Sequence, residues 1–177
     1  MRIVSLVPIG KVDQALLEPL AEGLTWSLRV ACSIQPNGLE ADFAFNPVRR
    51  QYHSTEILKK IVQKQPADSW KVLGITEMDL YIPVLTFVFG EAQLADGGAV
   101  VSTHRLRQEF YGLPNNPELL RERLLKEAIH ELGHTYGLRH CSEYSCVMSA
   151  SNGVERIDLK SASFCPACAQ SLTSTQP

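Results

Sequence analysis

Eleven residues, His130-Glu131-Leu132-Gly133-His134-Thr135-Tyr136-Gly137-Leu138-Arg139-His140, have the spacing H-E-x-x-H-x-x-G-x-x-H. Residues four apart on a helix are related by about 400° of rotation and roughly 6 Å of rise, so the rings of His130 and His134 project from one face, one turn apart. Two imidazole nitrogens can then share one zinc ion at about 2.0–2.1 Å each. Gly137 permits a sharp exit from the helix that returns the chain and delivers His140 as third ligand. Three protein ligands leave the fourth tetrahedral position for water, which zinc acidifies towards a pKa of about 7. Glu131 is turned about 100° from His130 and can reach that water without touching the metal, as a general base for attack on a carbonyl.

A second group lies immediately downstream. Cys141-x4-Cys146 and Cys165-Pro-Ala-Cys168 form two pairs, and Cys32 stands apart as a small, buried hydrophobe. Four thiolates can enclose a tetrahedral zinc with no open position, a staple that contributes folding energy outright. Two disulfides, a redox pair at Cys165 and Cys168, or free thiols are the competing readings. An odd count, clustering in the last quarter and no visible export signal favour the metal. Because Cys141 follows His140 directly, the staple would also fix the third imidazole.

These residues require a rigid frame. A helix over 117–137 carries the motif: Asn116 caps it, Pro117 suits its first position and Glu118 complements its dipole. Leu120, Leu124, Ile129 and Leu132 form its apolar stripe, while Arg121, Glu122, Arg123, Lys126 and Glu127 read as a solvated side. Upstream, a buried strand is expected over 1–8, a helix over 11–29 that contains Pro19, a short strand over 39–46, and a helix over 55–64 capped by Ser54. Strands follow at Lys71–Thr76, Val84–Phe89 and Ala99–Ser102, the last two separated by the turn Asp96-Gly97-Gly98. The alternation predicts a mixed sheet backed by helices, an α+β fold of α/β character in one domain over 1–177. Residues 138–177 lack periodicity and read as loop with at most a short terminal helix, which needs the cysteine staple to hold it.

Composition narrows the function classes. A net charge of −2 offers no basic footprint for nucleic acid, and no run is long and apolar enough to span a bilayer. With no secretory signal in the first residues, the expected compartment is the cytoplasm, and the expected state is a monomer.

The combination of His130 to His140, Cys141-x4-Cys146-Val147-Met148 and Cys165-x2-Cys168 resembles the archaemetzincin family of zinc metallopeptidases. The segments Val72–Tyr81, Phe87–Ala92 and Val101–Gly112 are similar to that family as well. The resemblance implies a compact metzincin fold, with an upper lobe (1–137) built on a twisted sheet and a lower lobe (138–177) after Gly137. It implies two zinc ions per chain, a catalytic one on His130, His134 and His140 and a structural one on Cys141, Cys146, Cys165 and Cys168. Glu131 takes the base role and Met148 the Met-turn, an apolar floor beneath the imidazoles. An antiparallel edge strand within 84–100 would pair with an extended peptide or protein substrate. The tyrosine that some metzincins carry two residues after the turn methionine is Ala150 here. Tyr136, Tyr144 and His104 could be proposed for its role but read as structural, and His53 reads as a surface residue. The alternative function is a zinc-dependent peptide-binding protein with little or no turnover, against which the intact Glu131 argues.

Overall fold

The computed structural model describes residues 2–174. Its main sheet has five strands in the order β2 (Ala31–Ile34), β1 (Ile3–Ile9), β5 (Lys71–Thr76), β8 (Gly98–Ser102) and β7 (Gly90–Ala92). The first four run parallel, and β7 lies antiparallel on the edge with Gly90, Glu91 and Ala92 opposite Val101, Val100 and Ala99. β5 and β8 are buried at every position, as expected of parallel strands covered on both faces. A small second sheet joins β3 (Phe45–Asn46), β4 (Gln51–His53) and β6 (Leu80–Tyr81).

Helices cover the main sheet on both sides. α1 (Leu17–Leu28) and α3 (Pro117–Thr135) bury Leu17, Leu20, Leu24, Leu124, Ala128, Ile129 and Leu132 against Leu6, Leu73, Ile75 and Val101. On the other side α2 (Ser54–Gln63) packs Ile57, Leu58 and Ile61 against Ile9, Val72 and Val100. Alternate residues of one strand therefore feed separate cores. Pro19 falls in the first turn of α1, where its missing N–H costs nothing.

Several expectations need correction. Ser54 does not cap α2 from outside: it is the first helical residue, after His53, and its hydroxyl bonds Tyr81 O and the carboxylate of Glu91. Val84–Phe89 is a loop, and the strand lies just beyond it at Gly90–Ala92. Arg49 donates to the carbonyls of Leu85 (2.7 Å) and Thr86 (3.1 Å), taking up acceptors that a strand ladder would have used. Residues 39–46 form a short 3-10 turn at Asp42–Ala44 followed by the two residues of β3. The region after 138 holds two helices, α4 (Val154–Leu159) and α5 (Pro166–Ser174), rather than one short terminal one.

The largest departure concerns α3. Its capping and first turn are as expected, with Asn116 Oδ1 accepting from Leu119 N at 3.1 Å. Arg123, Lys126 and Glu127, however, are buried rather than solvated. The segment around α4 covers them and supplies their partners. Arg123 holds Asp158 through two 2.7 Å bonds and also donates to Leu106 O. Lys126 donates to the carbonyls of Ile157 and Asp158 at the end of α4, where a cation complements the dipole. Glu127 pairs with Lys160 at 2.8 Å.

Candidate metal centres and active-site cleft

The last two turns of α3 carry His130 and His134, and the helix ends at once. Gly137 takes the left-handed conformation (φ +90°), and the chain turns back so that His140 closes on the other two rings. One ligand nitrogen from each of the three histidines lies within 4.8 Å of the others. The Nδ1 atoms of His130 and His134 face the carbonyls of Val147 (2.8 Å) and Leu138 (2.7 Å). A carbonyl only accepts, so both Nδ1 atoms carry the proton and both Nε2 atoms present lone pairs. Those Nε2 atoms are 3.2 Å apart. Two lone pairs facing each other at that distance repel unless a cation lies between them, and tetrahedral zinc with bonds of about 2.0–2.1 Å places its nitrogens about 3.3 Å apart. The donor set fits zinc, with backbone carbonyls fixing the ring orientation.

Burial disfavours the charged form of His130 and His134. His130 is pushed down to about 3 by burial first and by the positive charge of Lys160 second, against the Val147 carbonyl. His134 is lowered by burial in the same way. The carboxyl of Glu131 is held well above its ordinary value, chiefly by burial and then by the neighbouring carboxylates of Glu127 and Glu91, with Lys160 opposing.

Two glycines make room for this arrangement. A Cβ at Gly133 would stand 2.4 Å from Met148 Sδ, so its absence lets the methionine lie directly against α3. A Cβ at Gly90 would stand 2.7 Å from Glu131 Cγ and 2.8 Å from its Oε1, so the edge strand passes Glu131 only because it is bare there. Neither position stands out in the sequence: Gly133 is a free position of the motif, and Gly90 lies just outside the strand expected over Val84–Phe89.

A cleft of about 560 Å³ opens over the histidines, lined by the 82–89 loop, β7, Glu127, Glu131 and residues 150–152. Glu91 lines it from β7, its carboxylate bonded by Ser54 and Thr55. A larger cavity of about 1000 Å³ lies between α1 and residues 162–169, away from the three imidazoles. Met148 is fully buried. Tyr136 stacks on Trp70, Tyr144 lies exposed under Arg156, and His104 packs on Phe110, so none of the three enters the cleft. His53 stacks on Tyr81, and Cys32 is half-buried beside Thr25 rather than fully enclosed.

The four downstream cysteines form the second group, with all four sulfurs within 4.8 Å of one another and no S–S bond. Cys141 Sγ and Cys165 Sγ are 3.8 Å apart, which is about the edge of a tetrahedron with zinc–sulfur bonds of about 2.3 Å. The amide of Cys168 and the surrounding thiols pull Cys165 down to about 7, whereas burial raises Cys146 and Cys168. A site with one acidified thiol among close neighbours suits a divalent ion that displaces the remaining protons. Cys141 N donates to Met148 O at 2.9 Å, which joins the two groups through the backbone.

Comparison with known proteins agrees with this geometry. The model of peptidase family M54 matches residues 35–174. The archaemetzincin of Methanocaldococcus jannaschii is 43% identical over 171 residues, covering 96% of this chain and 92% of that protein. The crystal structure of archaemetzincin from Archaeoglobus fulgidus, complexed with malonate, superimposes with a TM-score of 0.83 at 37% identity over 96% of this chain and 99% of that one. A zinc-dependent peptidase from Methanocorpusculum labreanum gives 0.88 at 33% identity, with the same two coverages of 96% and 99%. The chain belongs to peptidase family M54, the archaemetzincins, and is a zinc metallopeptidase.

Proposed function

We propose that His130, His134 and His140 hold the catalytic zinc and that Glu131 is the general base for peptide hydrolysis in the cleft above them. The observation that carries the assignment is the pair of unprotonated Nε2 atoms 3.2 Å apart, each on a ring whose other nitrogen is already engaged. When bound, the metal supplies Lewis acidity to water and to the scissile carbonyl oxygen. Glu131 accepts the proton from the attacking water and returns it to the leaving amine. Its burial and the nearby carboxylates raise its affinity for a proton, which suits a carboxylate that must take one from water. β7 offers an antiparallel edge to an extended peptide, and Glu131 lies directly beside it at Gly90.

We further propose a second, structural zinc on Cys141, Cys146, Cys165 and Cys168, in one domain whose upper lobe ends at residue 137 and whose lower lobe follows. All seven proposed ligands come from one chain, so neither site needs a partner subunit, and we propose a monomer that acts in the cytoplasm. The placement of Glu131 in the cleft favours turnover over mere peptide binding. The test is elemental analysis with Glu131→Gln. Wild-type protein should hold two zinc ions, and the variant should keep both while losing peptide hydrolysis by at least about 100-fold. Full activity in the variant removes Glu131 from the mechanism, and a single zinc per chain, bound at the thiols, removes the histidine site.

A further inference from the structure

Lys160, just past α4, is fully buried. Its ammonium lies 2.8 Å from Glu127 Oε1 on α3 and donates to Ser149 O at 3.3 Å. Glu127 is itself buried, one turn before Glu131. Burying two charges costs several kcal/mol of desolvation, and apolar residues of the same size are often as stabilising, so stability is a weak reason for this pair.

The surroundings suggest another role. Each carbonyl of Val147, Met148 and Ser149 is tied to the histidine framework. Val147 O meets the His130 ring, Met148 O accepts from the amide next to His140, and Ser149 O accepts from Lys160. The first tie runs directly to a proposed metal ligand and the second to its neighbour. The third returns through Lys160 and Glu127 to the helix that carries His130 and His134. Lys160 therefore closes a loop linking α3, the turn at Met148 and the end of α4. An ion pair at 2.8 Å sets a separation that apolar packing would leave loose.

We propose that Lys160 is a positioning residue that acts through Glu127 and the Ser149 carbonyl to hold the methionine turn at a fixed height beneath the three imidazoles. The inference rests on the histidine zinc site proposed above. The variants are the apolar pair Glu127→Leu/Lys160→Met, which removes both charges, and Glu127→Gln, which keeps an acceptor for Nζ. Zinc affinity is read by chelator competition, geometry by the visible spectrum of cobalt(II) in the histidine site, and folding by thermal melting. The apolar pair should melt within a few degrees of wild type yet bind histidine-site zinc about 10–100-fold more weakly, with an altered cobalt spectrum. Glu127→Gln should stay within about threefold of wild type, because the tie survives.

An apolar pair with wild-type affinity and spectrum overturns the proposal, as does a tenfold loss in Glu127→Gln. If the apolar pair does not fold, Lys160→Met takes its place: histidine-site zinc about tenfold weaker is expected, and wild-type affinity and cobalt spectrum overturn the proposal. Wild-type protein with a single zinc, at the thiols, would instead refute the histidine site, and that outcome is seen before any variant is made.

Discussion

Gly133→Ala adds one methyl group at the tightest point beneath the histidines. The new Cβ would lie 2.4 Å from Met148 Sδ and 3.1 Å from its Cε, with Phe164 Cε1 at 3.5 Å on the far side. Ordinary contacts are about 3.5–4.0 Å, so the sulfur must move by more than about 1 Å. Met148 is fully buried and its carbonyl is held by the Cys141 amide, so little space is available for that movement. Overpacking of this kind costs about 2–3 kcal/mol, while alanine in place of a helical glycine returns about 1 kcal/mol. The net loss is about 1–2 kcal/mol, or a melting temperature lower by about 2–8 °C for a chain of this size. Histidine-site zinc should bind about tenfold more weakly, because the turn that orients the His130 ring is displaced. Thermal melting and chelator competition measure both effects. Combining Gly133→Ala with Met148→Val removes the colliding atoms, so the pair should couple by at least about 1 kcal/mol in a double-mutant cycle. A variant as stable as wild type, or a cycle additive within about 0.5 kcal/mol, would refute the reasoning.

Cys168→Ser should lower zinc content by one ion and cost several kcal/mol of stability, read by elemental analysis and melting; an unchanged zinc count would contradict the proposed thiolate site. Lys71 is buried at the base of β5 and donates to Thr135 O (3.0 Å) and Asp96 O (2.7 Å), capping the end of α3. Lys71→Met should therefore destabilise by about 1–3 kcal/mol in urea unfolding, and a neutral result would mean those carbonyls find other donors. With the histidine site free of metal, His130 titrates near 3, well below the ordinary value of about 6.5. The unfolded chain then takes up the proton first, so stability is complete above about pH 6.5 and falls as pH drops towards 3, by up to about 1.4 kcal/mol per unit for this group. Stability measured against pH should fall more steeply in wild type than in His130→Asn, and equal slopes would contradict the buried, neutral imidazole.

What the sequence made legible was chemistry written in short spacings. Histidines at 130, 134 and 140 are brought together by one helix and one left-handed glycine, so their meeting depends on little beyond local geometry. The cap at Asn116 and the strand at Lys71–Thr76 were readable for the same reason. Long-range contacts were not. Arg123, Lys126 and Glu127 have the composition of a solvated helix face, and only the arrival of Asp158 and Lys160, more than thirty residues on, makes their burial possible. The cleft wall misled in the opposite direction. Val84–Phe89 is apolar enough for a strand, yet Val84 and Leu85 are exposed and the run is a cleft-side loop. The strand itself, Gly-Glu-Ala, has poor β propensity, and its glycine is required by the close approach of Glu131. Close packing against Glu131 overrides local preference there.

Anomalous diffraction at the zinc edge, on crystals grown from zinc-replete protein, tests the central claim most directly. The account predicts two peaks per chain: one about 2.0–2.1 Å from Nε2 of His130 and of His134 and bonded also to His140, and one about 2.3 Å from the four sulfurs. A single peak at the cysteines, or a protein side chain occupying the fourth position on the histidine-bound ion, would contradict it.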